Sequence, residues 1–229
     1  MSKRIVLVTD SLGMPRGEPD NIPLEETWPN MVYQKYKNNC EVFFFPQRAM
    51  TTKDVVQKST DCISLMKPDI IVIQVGIVDS CRRIFPRRMT ILLGVLHLYD
   101  FMYKYFFKRH YYQWTRFIKT QMVNRDSFRA NVSRILAEAK KAKAKCIMIA
   151  IAPPGKYVKD MVYDIKNDIE EYNKILKEET ENKNGILADP YYGRDLETFL
   201  LKDGQHLNSL GAKYVFDELD KILKKYIEK

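Results

Sequence analysis

Five short apolar runs, separated by helix-patterned stretches, constrain this sequence more than any other feature. They are Arg4 to Thr9 (RIVLVT), Glu41 to Phe45 (EVFFF), Asp69 to Val75 (DIIVIQV), Cys146 to Ala152 (CIMIAIA) and Gly185 to Ala188. Continuous β-branched runs of this length read as strands buried on both faces. Between them lie candidate helices over residues 25–36, 51–66, 127–144, 160–181 and 208–226. The second has Thr51 or Thr52 as N-cap and Asp54 in its first turn. The third carries Phe128, Val132, Ile135, Leu136 and Ala139 on one side, and the fourth Ile165, Ile169, Tyr172, Ile175 and Leu176. The last starts at Asn208 or Ser209. Strands alternating with helices predict an α/β fold, a parallel sheet covered on both faces. The 229 residues suit one domain.

Folds of this kind gather their sites at the carboxyl ends of the strands. Ser11 follows the first run, Arg48 the second, Gly76 and Asp79 the third, and His206 lies beyond the fifth. The expected site therefore sits on one edge of the sheet.

Only three histidines occur, His97, His110 and His206. His206 alone sits beside a carboxylate in a polar loop before a helix, in Asp203-Gly204-Gln205-His206. A serine, a histidine and an aspartate at element ends are the parts of an acyl-transfer site. Ser11 would be the nucleophile, His206 its base, and Asp203 the group that fixes the imidazole tautomer. Backbone N–H groups at Ser11 and near Gly76 could hold the developing oxyanion.

Other classes are excluded or weakened by composition. Cys40, Cys62, Cys81 and Cys146 show neither C-x-x-C spacing nor clustering with histidine, so reduced thiols in a cytosol are the simpler reading than a disulfide framework or zinc site. The opening MSKRIVLVTDS does not read as a signal peptide, because its apolar run is too short. No glycine-rich phosphate loop follows any strand, which weakens nucleotide binding.

Three blocks carry a resemblance: Thr9-Asp10-Ser11-Leu12, Gly76-Ile77-Val78-Asp79, and Asp203-Gly204-Gln205-His206 continued as LNSLG. In this order they resemble the first, third and fifth blocks of the SGNH/GDSL hydrolases. The resemblance covers the chain outside residues 80–127. It implies a three-layer α/β/α fold with a five-stranded, flavodoxin-like parallel sheet. It also implies a serine esterase, lipase or O-acyltransferase mechanism without metal or organic cofactor, with Ser11, His206 and Asp203 as the triad. An acylated carbohydrate or lipid-linked sugar is the implied substrate, acetyl the implied acyl group, and surface-polysaccharide metabolism in a bacterial cytoplasm the implied setting.

The sequence departs from that pattern in three places. Thr9 stands where the first block has glycine. The loop after the second strand, Pro46-Gln47-Arg48-Ala49-Met50, lacks the usual oxyanion glycine, leaving Ala49 to donate its N–H. Val78 occupies the position of an oxyanion asparagine. Losing one such donor costs on the order of 10²–10³ in rate unless something replaces it. Arg48, Arg82 and Ser80 are candidates to compensate, and Asp10, Arg48, Asp79 and Arg82 are candidate substrate-binding residues. The alternative is a catalytically impaired SGNH-fold binding or scaffold protein that docks to a membrane surface or a partner enzyme through residues 80–127.

Residues 80–127 hold ten Lys or Arg against Asp100 and Asp126, so nearly all of the net charge of +9 lies there. The segment is long for a strand-to-helix connection and should contain helices of its own, inserted after the third strand. Residues 89–107 approach a membrane span in hydropathy, but His97, Asp100 and Lys104 interrupt it. As a helix, His97, Asp100, Lys104 and Lys108 form one polar stripe, with Asp100 and Lys104 spaced for an ion pair. The flanking RRIFPRR and KRHYYQWTRFIK interleave basic and aromatic residues. That pattern suits an anionic membrane surface or an acidic glycan, with nucleic acid the weakest candidate; the plainer reading is a solvated lid or an oligomerisation hairpin. Its start beside the third block favours a lid or substrate-binding role.

Overall fold

A computed structural model describes residues 2–85, 107–118 and 120–227, with Met89, Leu92 and Gly94 between the first two stretches. The polar stripe expected at His97, Asp100 and Lys104 lies outside the described residues.

The five runs form one parallel sheet in the order β2-β1-β3-β4-β5. The strands are β1 Lys3–Thr9, β2 Cys40–Pro46, β3 Ile70–Gln74, β4 Lys145–Ile149 and β5 Ile186–Ala188. Register aligns Leu7 with Val72 and with Phe44, and Val72 with Ile147. Strand β3 is buried at every position, as a central strand covered on both faces must be. The second strand departs from that pattern: β2 is an edge strand that leaves Phe44 40% exposed.

The described helices are α1 Trp28–Tyr36, α2 Thr52–Gln57, α3 Ile77–Ser80, α4 Tyr111–Phe117, α5 Arg125–Lys141, α6 Lys156–Met161, α7 Ile165–Asn182, α8 Leu196–Phe199 and α9 Ser209–Ile227. Helix α1 packs on α9, while α5 packs against both α2 and α7. Helices on both sides of the sheet make three layers. The apolar sides of α5 and α7 are buried where the sequence periodicity places them. Among the described residues, no helix is long and apolar enough to cross a membrane.

Two expected helices are interrupted. The stretch 51–66 begins with a capping box between Thr51 and Asp54 but ends as α-helix at Gln57. It resumes as a π turn over Thr60–Leu65. At the junction the Ser59 hydroxyl donates to the Val56 carbonyl (2.8 Å), a back-bond that bends helices. The stretch 160–181 breaks between α6 and α7, where Val162 is extended and Asp164 is left-handed at φ 61°. Aspartate tolerates that conformation, and the Asp164 carboxylate is drawn to Arg82 at 3.2 Å.

Candidate active site

Strand β1 ends at Thr9, and the chain turns at once into a 3₁₀ turn, Ser11–Gly13. Asp10 caps that turn, its Oδ1 accepting the Leu12 N–H at 2.9 Å. Ser11 is thereby presented at the carboxyl edge of the sheet. At the other end of the chain, residues 200–208 form a closed loop. Leu201 N–H donates to the His206 carbonyl (2.8 Å) and Gly204 N–H to the Leu201 carbonyl (2.9 Å). Gly204 has φ +71°, a left-handed conformation that suits glycine. Asn208 Oδ1 accepts the Gly211 N–H (3.0 Å) and so caps α9.

The loop brings three expected residues together. Ser11 Oγ lies 3.0 Å from His206 Nε2, and His206 Nδ1 lies 2.6 Å from Asp203 Oδ2. Asp203 Oδ1 also accepts the N–H groups of Gln205 (3.1 Å) and His206 (3.0 Å). Burial opposes ionisation of Asp203, but the bonds from the His206 ring and these two N–H groups outweigh it, holding the carboxyl far below the usual carboxylate range. The carboxylate stays charged and keeps a proton on Nδ1, leaving Nε2 to accept from Ser11.

Ser11 and His206 open onto a cavity of about 160 Å³, also walled by Leu12, Ala49, Ile77, Val78, Cys81, Arg83 and Gln205. Among the described residues, neither the Ser11 nor the Ala49 N–H meets an acceptor. Ala49 holds the left-handed conformation (φ 53°) in which its N–H can be offered without glycine.

The other candidates fall elsewhere. Gly76 is not in the cavity wall. At φ +124° it packs so closely that a Cβ there would lie 2.7 Å from Ile151 Cδ1, and Ile77 and Val78 form the wall instead. Asp10 and Asp79 cannot touch substrate, because both are fully buried. Asp79 accepts from the Thr52 N–H (3.0 Å) and hydroxyl (2.5 Å) and so fastens the start of α2. Desolvation raises Asp79 to about 6 despite these bonds. Desolvation raises Asp10 to about 7, against the Leu12 bond and with repulsion from Asp79. Asp10 Oδ2 has no partner. Arg48 is exposed and outside the cavity wall. Arg82 is buried against Asp168 (2.7 Å) and Asp164 (3.2 Å), in an adjoining cavity. Ser80 is buried, its hydroxyl donating to the Ile77 carbonyl (3.2 Å).

Two features escape the sequence reading. Arg83, not Arg82, reaches the Ser11 cavity. Behind the site, Gln74 accepts from Trp28 Nε1 (2.7 Å) and donates to the Tyr191 hydroxyl (3.2 Å). This buried network ties β3 to α1 and to the loop after β5. The lone glutamine in DIIVIQV was its only signal. In the described part of 80–127, Trp114 and Phe117 of α4 are exposed, Phe117 at 81%.

No family model and no curated protein sequence matches the chain. Solved structures do. A lipase/acylhydrolase from Enterococcus faecalis matches with a TM-score of 0.69 at 16% identity, over 97% of this chain and 96% of that one. The fold is that of the SGNH hydrolases. An acetylxylan esterase from Geobacillus stearothermophilus, solved as a catalytic mutant, matches at 0.63 and 14% identity, over 98% and 94% of the two chains. The psychrotrophic esterase EstA from Pseudoalteromonas sp. matches at 0.61 and 14%, over 99% and 100%.

Proposed function

We propose that this protein is a serine esterase of the SGNH type that cleaves a small acyl ester, acetyl in the first instance, on a carbohydrate. The observation that carries the reading is the hydrogen-bonded chain Ser11–His206–Asp203 at the mouth of a cavity of about 160 Å³. Leu12, Ile77, Val78 and Cys81 give that cavity apolar walls suited to a short acyl group. Esterases, among them an acetylxylan esterase, share the fold, which supports the reaction class.

In this reading Ser11 Oγ attacks the acyl carbon while His206 Nε2 takes its proton. The new oxyanion faces the N–H groups of Ser11 and Ala49, and Val78 adds no side-chain donor. His206 returns the proton to the alcohol oxygen as the C–O bond breaks. Water, activated by the same histidine, then releases the acid from Ser11. A sugar hydroxyl in place of that water would make the protein an O-acyltransferase with unchanged residues. Surface-polysaccharide metabolism is the setting we propose.

Hydrolysis of p-nitrophenyl acetate by wild type and Ser11→Ala, with intact mass after brief mixing, tests this. Turnover is expected to vanish in Ser11→Ala, and wild type to gain the mass of one acetyl group at Ser11. Equal rates for both proteins, or no adduct and no turnover in wild type, would move the non-catalytic binding module to the front.

A further inference from the structure

The Ser11 cavity does not end at Arg83. A second cavity of about 230 Å³ shares Cys81, Arg83 and Gln205 with it and extends to Arg82, Tyr111 and Tyr157. Resting on the esterase reading above, we propose that this second compartment receives an oxyanion group, a carboxylate or a phosphate, carried by the sugar whose ester Ser11 cleaves.

Charge balance supports this. Arg82 is neutralised: Nε meets Asp168 at 2.7 Å and Nη2 meets Asp164 at 3.2 Å. It is 6% exposed, and its Nη1 has no acceptor. Arg83 has no ion pair among the described residues, and its Nε is buried without an acceptor. Those two nitrogens are sealed and out of reach of a ligand, so what the cavities offer is the charge of Arg83, which lines both and pairs with no carboxylate among the described residues. A carboxylate or phosphate in the cavity pairs with that charge through charge-assisted bonds, the partner chemistry arginine serves best.

The carboxylate that opposes such a ligand is Asp203, which also lines the compartment. Its oxygens are already taken by the Gln205 and His206 N–H groups and the His206 ring, and Arg16 stands 3.8 Å away. Its repulsion is therefore compensated locally. Tyr111 and Tyr157 provide aromatic surface beside the arginines, suited to the apolar face of a sugar ring.

The test is calorimetric titration of glucuronate, glucose 1-phosphate and glucose into wild type and Arg83→Gln, with circular dichroism as the folding check. At least one anion should bind wild type about tenfold or more tightly than glucose, and that preference should collapse in Arg83→Gln while Arg83→Lys restores part of it. Binding of glucuronate alone assigns a uronate; binding of glucose 1-phosphate alone assigns a sugar phosphate. Equal affinity for all three sugars, or a preference that survives Arg83→Gln, overturns the proposal. The bound anion should also slow fluorophosphonate labelling of Ser11, which places it in the same cleft. Anion binding with no labelling of Ser11 under any condition would refute the esterase reading and leave the anion site standing.

Discussion

Asp10 lies directly before Ser11, fully buried, with one oxygen bonded to Leu12 N–H and the other bonded to nothing. Desolvation moves it from 3.8 to about 7. A carboxyl whose folded pKa is raised carries no penalty below its unfolded pKa. Stability then falls as pH rises between the two values and levels off above the folded one, because the native state holds the proton longer. A difference of roughly three units is worth about 4 kcal/mol once complete. Of that, about 2.7 kcal/mol falls between pH 5 and pH 8.5. Asp10→Asn keeps an oxygen for the Leu12 N–H but removes the titration. Its buried amide adds a cost of about 1–3 kcal/mol that is the same at both pH values. Urea unfolding of both proteins at pH 5 and pH 8.5 exposes the effect: Asp79 titrates in both, and its repulsion with Asp10, absent from the variant, only widens the difference. Wild type should lose about 2–3 kcal/mol more than the variant across that interval. If both lose the same amount, Asp10 is not a buried acid of raised pKa and the reasoning fails.

Two further outcomes follow from the cavity wall. Val78→Asn places an amide where Val78 now lines the cavity, and kcat for p-nitrophenyl acetate should rise by about tenfold or more, part of the 10²–10³ a side-chain oxyanion donor is worth; an unchanged rate in a protein still labelled at Ser11 would mean the backbone donors suffice. Gly76→Ala forces a Cβ to 2.7 Å from Ile151 Cδ1 at φ +124°, so the urea midpoint should drop by the equivalent of about 1–3 kcal/mol, and an unmoved midpoint would show that Ile151 yields freely.

The sheet was legible because β3 is buried throughout and β1 and β4 are buried beyond the basic residues that open them, and their sequences state it residue by residue. The Asp203–His206 contact was legible for a related reason: both residues share a local loop, so spacing alone carries their relation. The errors concern long-range packing. Asp79 reads like a site residue, but it is claimed by Thr52, which arrives from α2 and is 27 residues away in the chain. Asp10 reads as exposed because it is charged, but it is sealed beneath the turn it caps. The break between α6 and α7 has no glycine or proline to announce it; Asp164 adopts its turn while facing Arg82 from another element. Arg83 was one of ten basic residues in its segment, and only the folded cleft distinguishes it from its neighbour Arg82.

The loop carrying His206 is fixed to the body of the protein at one tight point. Gly155 N–H donates to the Gly204 carbonyl at 2.7 Å, and a Cβ on Gly155 would lie 2.8 Å from Gly204 Cα. Two backbones meet there with no side chain between them. The histidine and aspartate are consequently clamped as one rigid piece to the chain that leaves β4. Ala49, Cys81 and Arg83, which also line the Ser11 cavity, are held apart from that loop, Cys81 and Arg83 by backbone bonds to Met122 and Thr120. On the esterase reading proposed above, substitutions there would change which esters are admitted while the Ser11–His206–Asp203 geometry stays intact, so substrate range and chemical competence would drift independently.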